Sequence, residues 1–306
     1  MLGWVGVLVG APLSCWLLNV LMMVGLDQAG HTVLPYASLI LLNIGVNVVL
    51  AVSLNLINGY TGQFSLGHAG FMAIGGYVSA AMMFYLRPHV IGDGHALAFV
   101  VFERGGFTVD PSGLLTGLFF AATLLVSGLA AAFAGLLVGI PSLRLKGDYL
   151  AIVTLGFGEI IRVLILNTES LGGARGFSNL EPVADLFWVL LVVVAVVVVT
   201  RNMVASTRGL AFLSVREDEI AAEAIGVNTT RYKVSAFVVG AFFAGMAGGL
   251  YAHTQAYLSP GAFDFVKSME VVAMVAIEPG MLPRPPSTTI ATTSMLFTKS
   301  NAPGDR

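Results

Sequence analysis

Residues 58–77 read NGYTGQFSLGHAGFMAIGGY and place hydrogen-bonding side chains between glycines inside a strongly apolar part of the chain. Amide, hydroxyl and imidazole groups of this kind can bind a small polar molecule. Glycine allows close backbone approach or non-helical geometry, and irregular backbone at membrane depth requires surrounding protein or a water-filled cavity. We predict a turn or broken helix entry at 58–66 and a small-residue helix at 67–86, with the polar side chains directed into a bundle interior. Packing through glycine alone is the alternative interpretation.

Glu159 and Arg162 form a second candidate, because a spacing of three residues places both on one helix face. Ionisable residues inside a membrane are costly and often mark pathways. A mutually neutralising pair near a helix end, holding two helices in register, explains the same residues. Both interpretations stay open, as they do for His68, which can contact a ligand or donate a hydrogen bond to a neighbouring helix.

Motifs of membrane enzymes are absent from the sequence. There is no HExxH, GxSxG or GxxxxGK[ST], the histidines at 31, 68, 89, 95 and 253 are scattered, and Cys15 is the single cysteine. The net charge is −2, without a long basic run, which argues against a nucleic-acid partner. We therefore expect no catalytic residue, no metal site and no cofactor.

The composition places the elements that carry these residues in a bilayer. The chain is 57% hydrophobic and 10% charged, with a mean hydropathy of +0.87, whereas soluble domains carry about 25% charged residues. Lipid favours helices because every backbone polar group must be satisfied internally. We predict an all-α polytopic bundle of about seven to eight spans, including a retained first span near 1–26 rather than a signal peptide. The other full spans are predicted at 34–57, 63–86, 113–140, 149–167, 183–200 and 234–253.

Lysine and arginine in the loops predict the orientation. Placing 141–148 and 201–233 on the cytoplasmic side gathers most of the loop cations there and leaves 87–112 outside. The cytoplasmic set is Arg144, Lys146, Arg201, Arg208, Arg216, Arg231 and Lys233, and the outer set is Arg87, Arg104, Arg175 and Lys267. Seven spans before the last apolar segment would leave the N-terminus inside.

The polar loop 201–233 carries a short predicted helix. Residues 217–225 favour helix, Gly226 is suited to end it, and Asn228 is suited to cap the next helix. A charged helix held between two spans can dock a partner protein, and a solvated amphipathic loop is the alternative.

Three segments resemble one family. REDEIAAEAIGVNTTRYK with the following AFVVGAFFAGMAGGLYAH, NLINGYTGQFSLGHAGFMAIGGYVSA, and LKGDYLAIVTLGFGEIIRVLILN occur in the family's order. They resemble the permease subunits of bacterial branched-chain amino acid ABC importers, in particular the larger, M-type permease. The resemblance covers most of residues 40–275.

The resemblance implies a non-enzymatic permease that moves branched-chain amino acids across the bacterial inner membrane by ATP-driven alternating access. Its implied partners are a homologous second permease, two cytoplasmic ATP-binding subunits and a periplasmic or lipid-anchored substrate-binding protein. The family's coupling helix docks on the ATPase, with Ile220 here where the general signature has glutamate. The coupling residues implied are Arg216, Glu217, Asp218, Glu219, Ala221, Ala222, Glu223 and Gly226. We expect the charged members to form a polar rim and the alanines to allow close approach.

The remaining site residues follow from the pattern of glycine and polar residues in the spans rather than from the resemblance. The path-lining set is Asn58, Gly59, Thr61, Gly62, Gln63, Ser65, His68 and Glu159. Gly245 and Gly249 form a GxxxG step expected to pack helices. A single-chain secondary transporter of small amino acids or amides is the rival function, since such proteins use broken helices.

The C-terminal end departs from the family. We assign 1–277 to the transmembrane domain and predict an atypical polar, disordered tail at 278–306, where Pro279, Pro283, Pro285 and Pro286 exclude helix. The last apolar segment, from about 266, falls short of the ~20 residues needed to cross. A frameshifted or truncated gene is the expected cause, with a natural short variant as the alternative.

Overall fold

The computed structural model describes residues 34–90, 100–103, 106–109, 111–142, 148–178, 180, 183–255 and 257–277. Ten α-helices and one strand pair occur within these ranges. The helices are α1 Leu34–Asn55, α2 His68–Ala81, α3 Arg87–Val90, α4 Pro111–Ser142, α5 Asp148–Leu166, α6 Leu186–Ala205, α7 Thr207–Glu217, α8 Glu219–Ala224, α9 Thr229–Gln255 and α10 Phe265–Ile277. Single π-helical segments follow α1 at Leu56–Tyr60 and α2 at Met82–Leu86, and 3₁₀ turns lie at Glu169–Leu171, Gly173–Arg175 and Pro260–Phe263.

Six helical segments in the described part of the chain are long and apolar enough to cross a membrane. They are Leu39–Tyr60, His68–His89, Leu115–Ser142, Tyr149–Leu166, Leu186–Ala205 and Thr229–Gln255. They correspond to the six full spans predicted after the first. An apolar run of this length forms a helix in lipid because a helix satisfies its backbone polar groups internally. The predicted polytopic helical bundle is confirmed. The predicted first span and the predicted tail lie outside the described residues.

Helix α9 lies at the centre of the bundle and packs against α4, α2 and α1. Small residues make the contact close: a β-carbon added to Gly75 of α2 would overlap the backbone of Gly245 in α9. Gly245 also faces Ala131 and Ser127 of α4, and Gly249 faces Leu124 of the same helix. The GxxxG step therefore lies where three helices meet, as small-residue packing in membranes requires.

The outer helices leave apolar surface for lipid. Ile152 and Leu164 of α5 and Leu118 and Phe133 of α4 are exposed side chains. Such a surface is unsuited to water, and it matches the bilayer that the composition predicts.

One connection differs from the sequence expectation, whereas the last apolar segment is as short as predicted. The predicted polar loop at 87–112 contains an antiparallel strand pair, Val100–Glu103 with Gly106–Val109. Strands of four residues carry weak sequence signals next to the apolar spans. The last apolar segment forms α10, which has 13 residues, about 20 Å at 1.5 Å per residue and short of the ~30 Å hydrocarbon thickness.

Candidate functional site

The polar glycine-rich segment is a genuine break between two spanning helices. The chain leaves α-helical geometry at Leu56, forms the π-helical segment, and is non-helical from Thr61 to Gly67 before α2 begins at His68. Gly62 has φ +68°, a left-handed conformation that glycine adopts without a steric penalty. The prediction of a broken entry at 58–66 followed by a helix is confirmed. We call residues 56–67 the helix break below.

Nearby side chains form hydrogen bonds with some of the backbone groups that have no helical partner in the break. The amide of Ser65 donates to the Asn58 side-chain oxygen at 3.2 Å, and the amide of Leu66 donates to Thr154 Oγ1 of α5 at 3.1 Å. The Thr61 hydroxyl donates to the Ile57 carbonyl at 2.8 Å. These bonds stabilise a partly buried non-helical segment between the end of α1 and the start of α2, where unpaired backbone groups are costly.

Several predicted path residues are buried and keep polar atoms without a partner among the described residues. Gln63 is 5% exposed, and both its amide atoms are unpaired. Ser65 Oγ and His68 Nδ1 are also unpaired, and both residues are 0% exposed. Buried polar groups are usually satisfied in native structures. Unpaired atoms on one short segment therefore indicate a place for water or for a polar ligand.

His68 contacts a neighbouring helix through its other ring nitrogen, since Nε2 lies 2.8 Å from Ser53 Oγ of α1. The helix-contact interpretation thus accounts for one nitrogen, and the ligand interpretation remains a prediction for Nδ1. The last glycine of the break and the first glycine of α2 have a packing role as well. Added β-carbons at Gly67 and Gly70 would overlap α5 at Thr154 and Gly158.

Glu159 forms an ion pair within its own helix. Its Oε2 accepts from Arg162 Nη1 at 3.1 Å within α5, and the two side chains are 40% and 32% exposed. Spacing correctly predicted the shared helix face. The pair is neutralised within one helix rather than joining two helices, and it lies well inside a span.

The polar loop 201–233 contains two short helices, α7 and α8, rather than the single helix predicted from 217 to 225. The prediction of a continuous helix was wrong because Asp218 is extended, with φ −154° and ψ +109°, between α7 and α8. Its carboxylate accepts the amides of Ile220 and Ala221 at 2.9 and 3.1 Å. This N-cap bond outweighs the helix propensity of the stretch.

The end of α8 follows the prediction. Gly226 has φ +89°, its amide donates to the Glu223 carbonyl at 3.0 Å, and the Val227 amide donates to the Ala222 carbonyl at 3.0 Å. These are the two bonds of a Schellman end. Asn228 then caps α9 by accepting the amide of Arg231 at 3.0 Å. The predicted helix stop and the predicted cap are both confirmed.

Most of the charged residues predicted for a polar rim are bonded within the chain. Glu219 pairs with Lys233 Nζ at 2.6 Å, and Glu223 accepts the Thr229 hydroxyl at 2.7 Å. Asp218 caps α8, and Arg216 donates to a backbone carbonyl. Glu217 is exposed. The expected rim is therefore reduced, because Glu219 and Glu223 attach α8 to the start of α9 and Arg216 bonds to the helix break.

The exposed surface of α8 is largely apolar. Ile220 and Ile225 are 72% and 77% exposed, and Ala221 beside them is exposed, whereas Ala222 is 2% exposed. Only Ala221 of the two alanines is thus available for close approach by another molecule. Sequence analysis missed the two isoleucines because it assigned the contact to small and charged residues.

The loop and the helix break touch each other. Arg216 Nη1 donates to the Gly59 carbonyl at 3.0 Å across 157 positions of sequence. Phe212 of α7 packs with Leu56 and Tyr60 of the break and with Ala236 of α9. No local sequence signal predicts this contact, which joins two of the three segments that carry the family resemblance.

Comparisons with known proteins agree with these features. A family model described as "Branched-chain amino acid transport system / permease component" matches residues 36–302, and its match thus reaches into the segment predicted as a tail. The permease proteins LivM of the high-affinity branched-chain amino acid transport systems of Salmonella typhimurium and Escherichia coli are each 35% identical over 269 residues. Those alignments cover 76% of this chain and 56% of the relative, so the chain spans about half the length of these curated relatives.

A probable branched-chain amino acid transport permease protein LivM of Methanocaldococcus jannaschii is 25% identical over 249 residues, covering 75% of this chain and 70% of the relative. No solved structure matches the chain significantly. The family match covers most of the chain and includes the helix break, the loop 201–233 and all six described spans. The chain is a multi-pass membrane protein and belongs to the family of branched-chain amino acid transport permease components.

Proposed function

We propose that the chain is the membrane permease subunit of an ABC importer that moves branched-chain amino acids into the cell by ATP-driven alternating access. ATP is hydrolysed by two separate subunits, because the sequence has no phosphate-binding GxxxxGK[ST] loop. A homologous second permease and a periplasmic or lipid-anchored binding protein complete the complex. The observation that carries the proposal is the short helix α8, which presents exposed apolar side chains from a firmly anchored base and directly follows the helix that contacts the break.

The anchoring of α8 suits it to transmit a force. Its first turn is capped by Asp218, its end is closed at Gly226, and its acidic side chains bond Lys233 and Thr229 of α9. A partner that moves Ile220 and Ile225 therefore moves the base of the central helix as well. An ATPase with an apolar groove fits this surface, since apolar side chains gain by leaving water.

The helix break supplies the proposed path. Gln63, Ser65 and His68 offer a buried amide, hydroxyl and imidazole nitrogen with unused hydrogen-bonding capacity. A zwitterionic amino acid passing this segment needs such groups for its ammonium and carboxylate, while apolar walls suit an aliphatic side chain. The names of the relatives support leucine, isoleucine and valine as substrates.

The α5 surface supports a second permease as neighbour. Glu159 and Arg162 are partly exposed and lie inside a predicted span. Even a paired charge is costly against lipid. Contact with another protein removes that cost, and so does exposure to a water-filled path between the two permeases. In the second arrangement, Glu159 remains among the path residues.

A secondary transporter is the alternative, and the helix break favours it equally well because transporters of that class use broken helices. The two functions differ in the energy source. We would reconstitute the chain with the products of its neighbouring genes and measure uptake of labelled leucine, isoleucine and valine. ATP-dependent uptake that requires the binding protein supports the importer, whereas ATP-independent uptake driven by an ion gradient would establish the alternative.

Docking through α8 has a separate test. We expect Ile220→Asp to abolish co-purification of the ATP-binding subunits, because a charge enters an apolar contact. Leu210→Asp is the matched control, since Leu210 is 69% exposed on α7 of the same loop. Retention of the ATP-binding subunits by the Ile220→Asp protein would refute the docking site.

A further inference from the structure

Arg216 connects the cytoplasmic loop with the helix break through two different parts of its side chain. The guanidinium donates to the Gly59 carbonyl at 3.0 Å. The aliphatic stem lies against Gly62, where an added β-carbon would be 3.1 Å from Arg216 Cγ. One side chain therefore spans the turn from Gly59 to Gly62.

The position of Gly59 explains why a cation is suited to this contact. Gly59 lies at the end of the helix that begins at Leu34, where the final carbonyls lose their intrahelical partners. The carbonyl end of a helix also carries partial negative charge. A guanidinium satisfies both demands, and its charge makes the hydrogen bond stronger than a neutral one.

The remainder of α7 is fixed to the same segment. Phe212, one turn before Arg216, is 1% exposed and packs with Leu56 and Tyr60 of the break. Its ring also meets that of Tyr232 in α9 edge-on, with the centroids 5.7 Å apart. Helix α7 thus forms one packed unit with the break and the start of α9.

Arg216 is also adjacent to the element proposed to receive force from the ATPase. Only Glu217 separates it from Asp218, whose carboxylate starts α8. A displacement of α8 reaches Arg216 through two residues of backbone, and the guanidinium and its stem act directly on the turn at Gly59–Gly62. A mechanical route from α8 to the helix break through the lipid-facing helices would be much longer.

We propose that Arg216 is a positioning residue that transmits the movement of α8 to the helix break, rather than a residue that binds the ATPase. The inference rests on the proposed function, because it presupposes an ATP-driven stroke at α8. In one arrangement of the loop, the Gly59 carbonyl is held by the guanidinium. When α8 moves, the bond shifts or breaks, and the turn at Gly62 changes the position of the buried polar residues that follow it.

The experiment uses the reconstituted complex of permeases, ATP-binding subunits and binding protein, and it measures ATP hydrolysis and leucine uptake separately. We expect Arg216→Gln to reduce uptake per ATP hydrolysed by about tenfold, in line with the loss of a hydrogen bond from a charged group. Hydrolysis itself should stay within about twofold of wild type, since the docking surface is intact. Arg208→Gln is the control, because Arg208 is exposed on the same helix, and both of its rates should remain at the wild-type level.

Hydrogen exchange provides a readout that loss of packing alone would not produce. On addition of ATP, we expect protection to change in peptides covering 56–67 and 219–226 of the wild-type permease. In the Arg216→Gln protein, the change at 219–226 should persist and the change at 56–67 should be lost. Arg216→Lys keeps a cationic donor, so it should restore part of the uptake and serves as the test variant if the Arg216→Gln permease does not fold.

The outcomes separate the two levels of the proposal. Uptake per ATP at the wild-type level in both Arg216 variants overturns the transmission role. Loss of hydrolysis in parallel with uptake, or loss of the ATP-binding subunits, also overturns it, since Arg216 would then belong to the docking surface. A wild-type complex that shows no ATP-dependent uptake refutes the proposed function instead.

Discussion

Glycine serves opposite purposes in the bundle core and in the region of the helix break. At the α2–α9 contact, Gly75 and Gly245 bring two regular helices so close that a β-carbon on either would overlap a neighbour. Gly62 and Gly226 instead adopt positive φ values of +68° and +89° and end regular structure. The first pair fixes the distance between helices, and the second pair permits turns. Composition alone does not distinguish the two uses, because glycine occurs in both settings.

The largest effect is expected where glycine determines a helix distance. Gly245→Val would place a side chain into Ala131 and the Ser127 backbone, and overpacking of this kind costs about 3 kcal/mol or more. We expect little or no monodisperse protein after detergent extraction. Gly156→Val in α5 is the control, because an added β-carbon there meets nothing within 4 Å. Normal yield of the Gly245→Val protein would contradict the distance-setting role.

A smaller loss of stability is expected at the turn of the break. Gly62→Val should cost roughly 2 kcal/mol, since a left-handed conformation is strained for a β-branched residue and the side chain meets Arg216. The protein should fold with a lowered Tm and transport poorly. Gly62→Asn should keep a higher Tm than Gly62→Val because asparagine tolerates positive φ. Equal Tm values for the two variants would show that backbone conformation is not the cause.

A substitution at Gly226 would test backbone strain alone, because a new side chain there would not be crowded by neighbouring atoms. An added β-carbon meets nothing within 4 Å, so Gly226→Val should cost about 1–2 kcal/mol from φ alone. The main expected result is functional: ATP hydrolysis continues while uptake falls, because α8 no longer ends in its Schellman geometry. Gly226→Asn should retain coupling. Unchanged transport by the Gly226→Val complex in proteoliposomes would mean that the coupling assignment is wrong.

The smallest effect on stability is expected for a buried polar residue of the break. Gln63→Met removes two unpaired amide atoms at similar volume, which should leave the Tm unchanged or slightly raised. Uptake should nevertheless fall if Gln63 lines the path. Thr200→Val is the control, since Thr200 Oγ1 is also buried and unpaired but lies in α6. Full uptake by the Gln63→Met complex would favour glycine packing as the sole role of this segment.

The spans, the helix break and the end of α8 could be predicted because each has a local cause. Apolar run length determines a spanning helix, and Gly62 and Gly226 carry their turn signals at the positions where the turns occur. The cap by Asn228 is local in the same way. These features require no knowledge of which helices are neighbours.

The missed features depend on contacts between distant segments or on competition between nearby groups. The Arg216–Gly59 bond joins residues 157 positions apart, and nothing in either segment identifies the other. Asp218 had a local signal as a potential N-cap, but the helix-favouring run around it masked that signal. The exposure of Ile220 and Ile225 was missed because it depends on which face of α8 is held against α9.

The length of α9 has a consequence for communication across the membrane. Its 27 residues run without a break from Thr229 to Gln255, about 40 Å at 1.5 Å per residue. Bonds to Glu219 and Glu223 hold the first turns, and His253 near the other end lies 3.1 Å from Ser79. If a rigid rod of this length tilts by about 5° about one end, its other end moves by about 3.5 Å. Docking of a protein on the far side of the membrane would therefore change the position of α8, and the signal would travel in both directions.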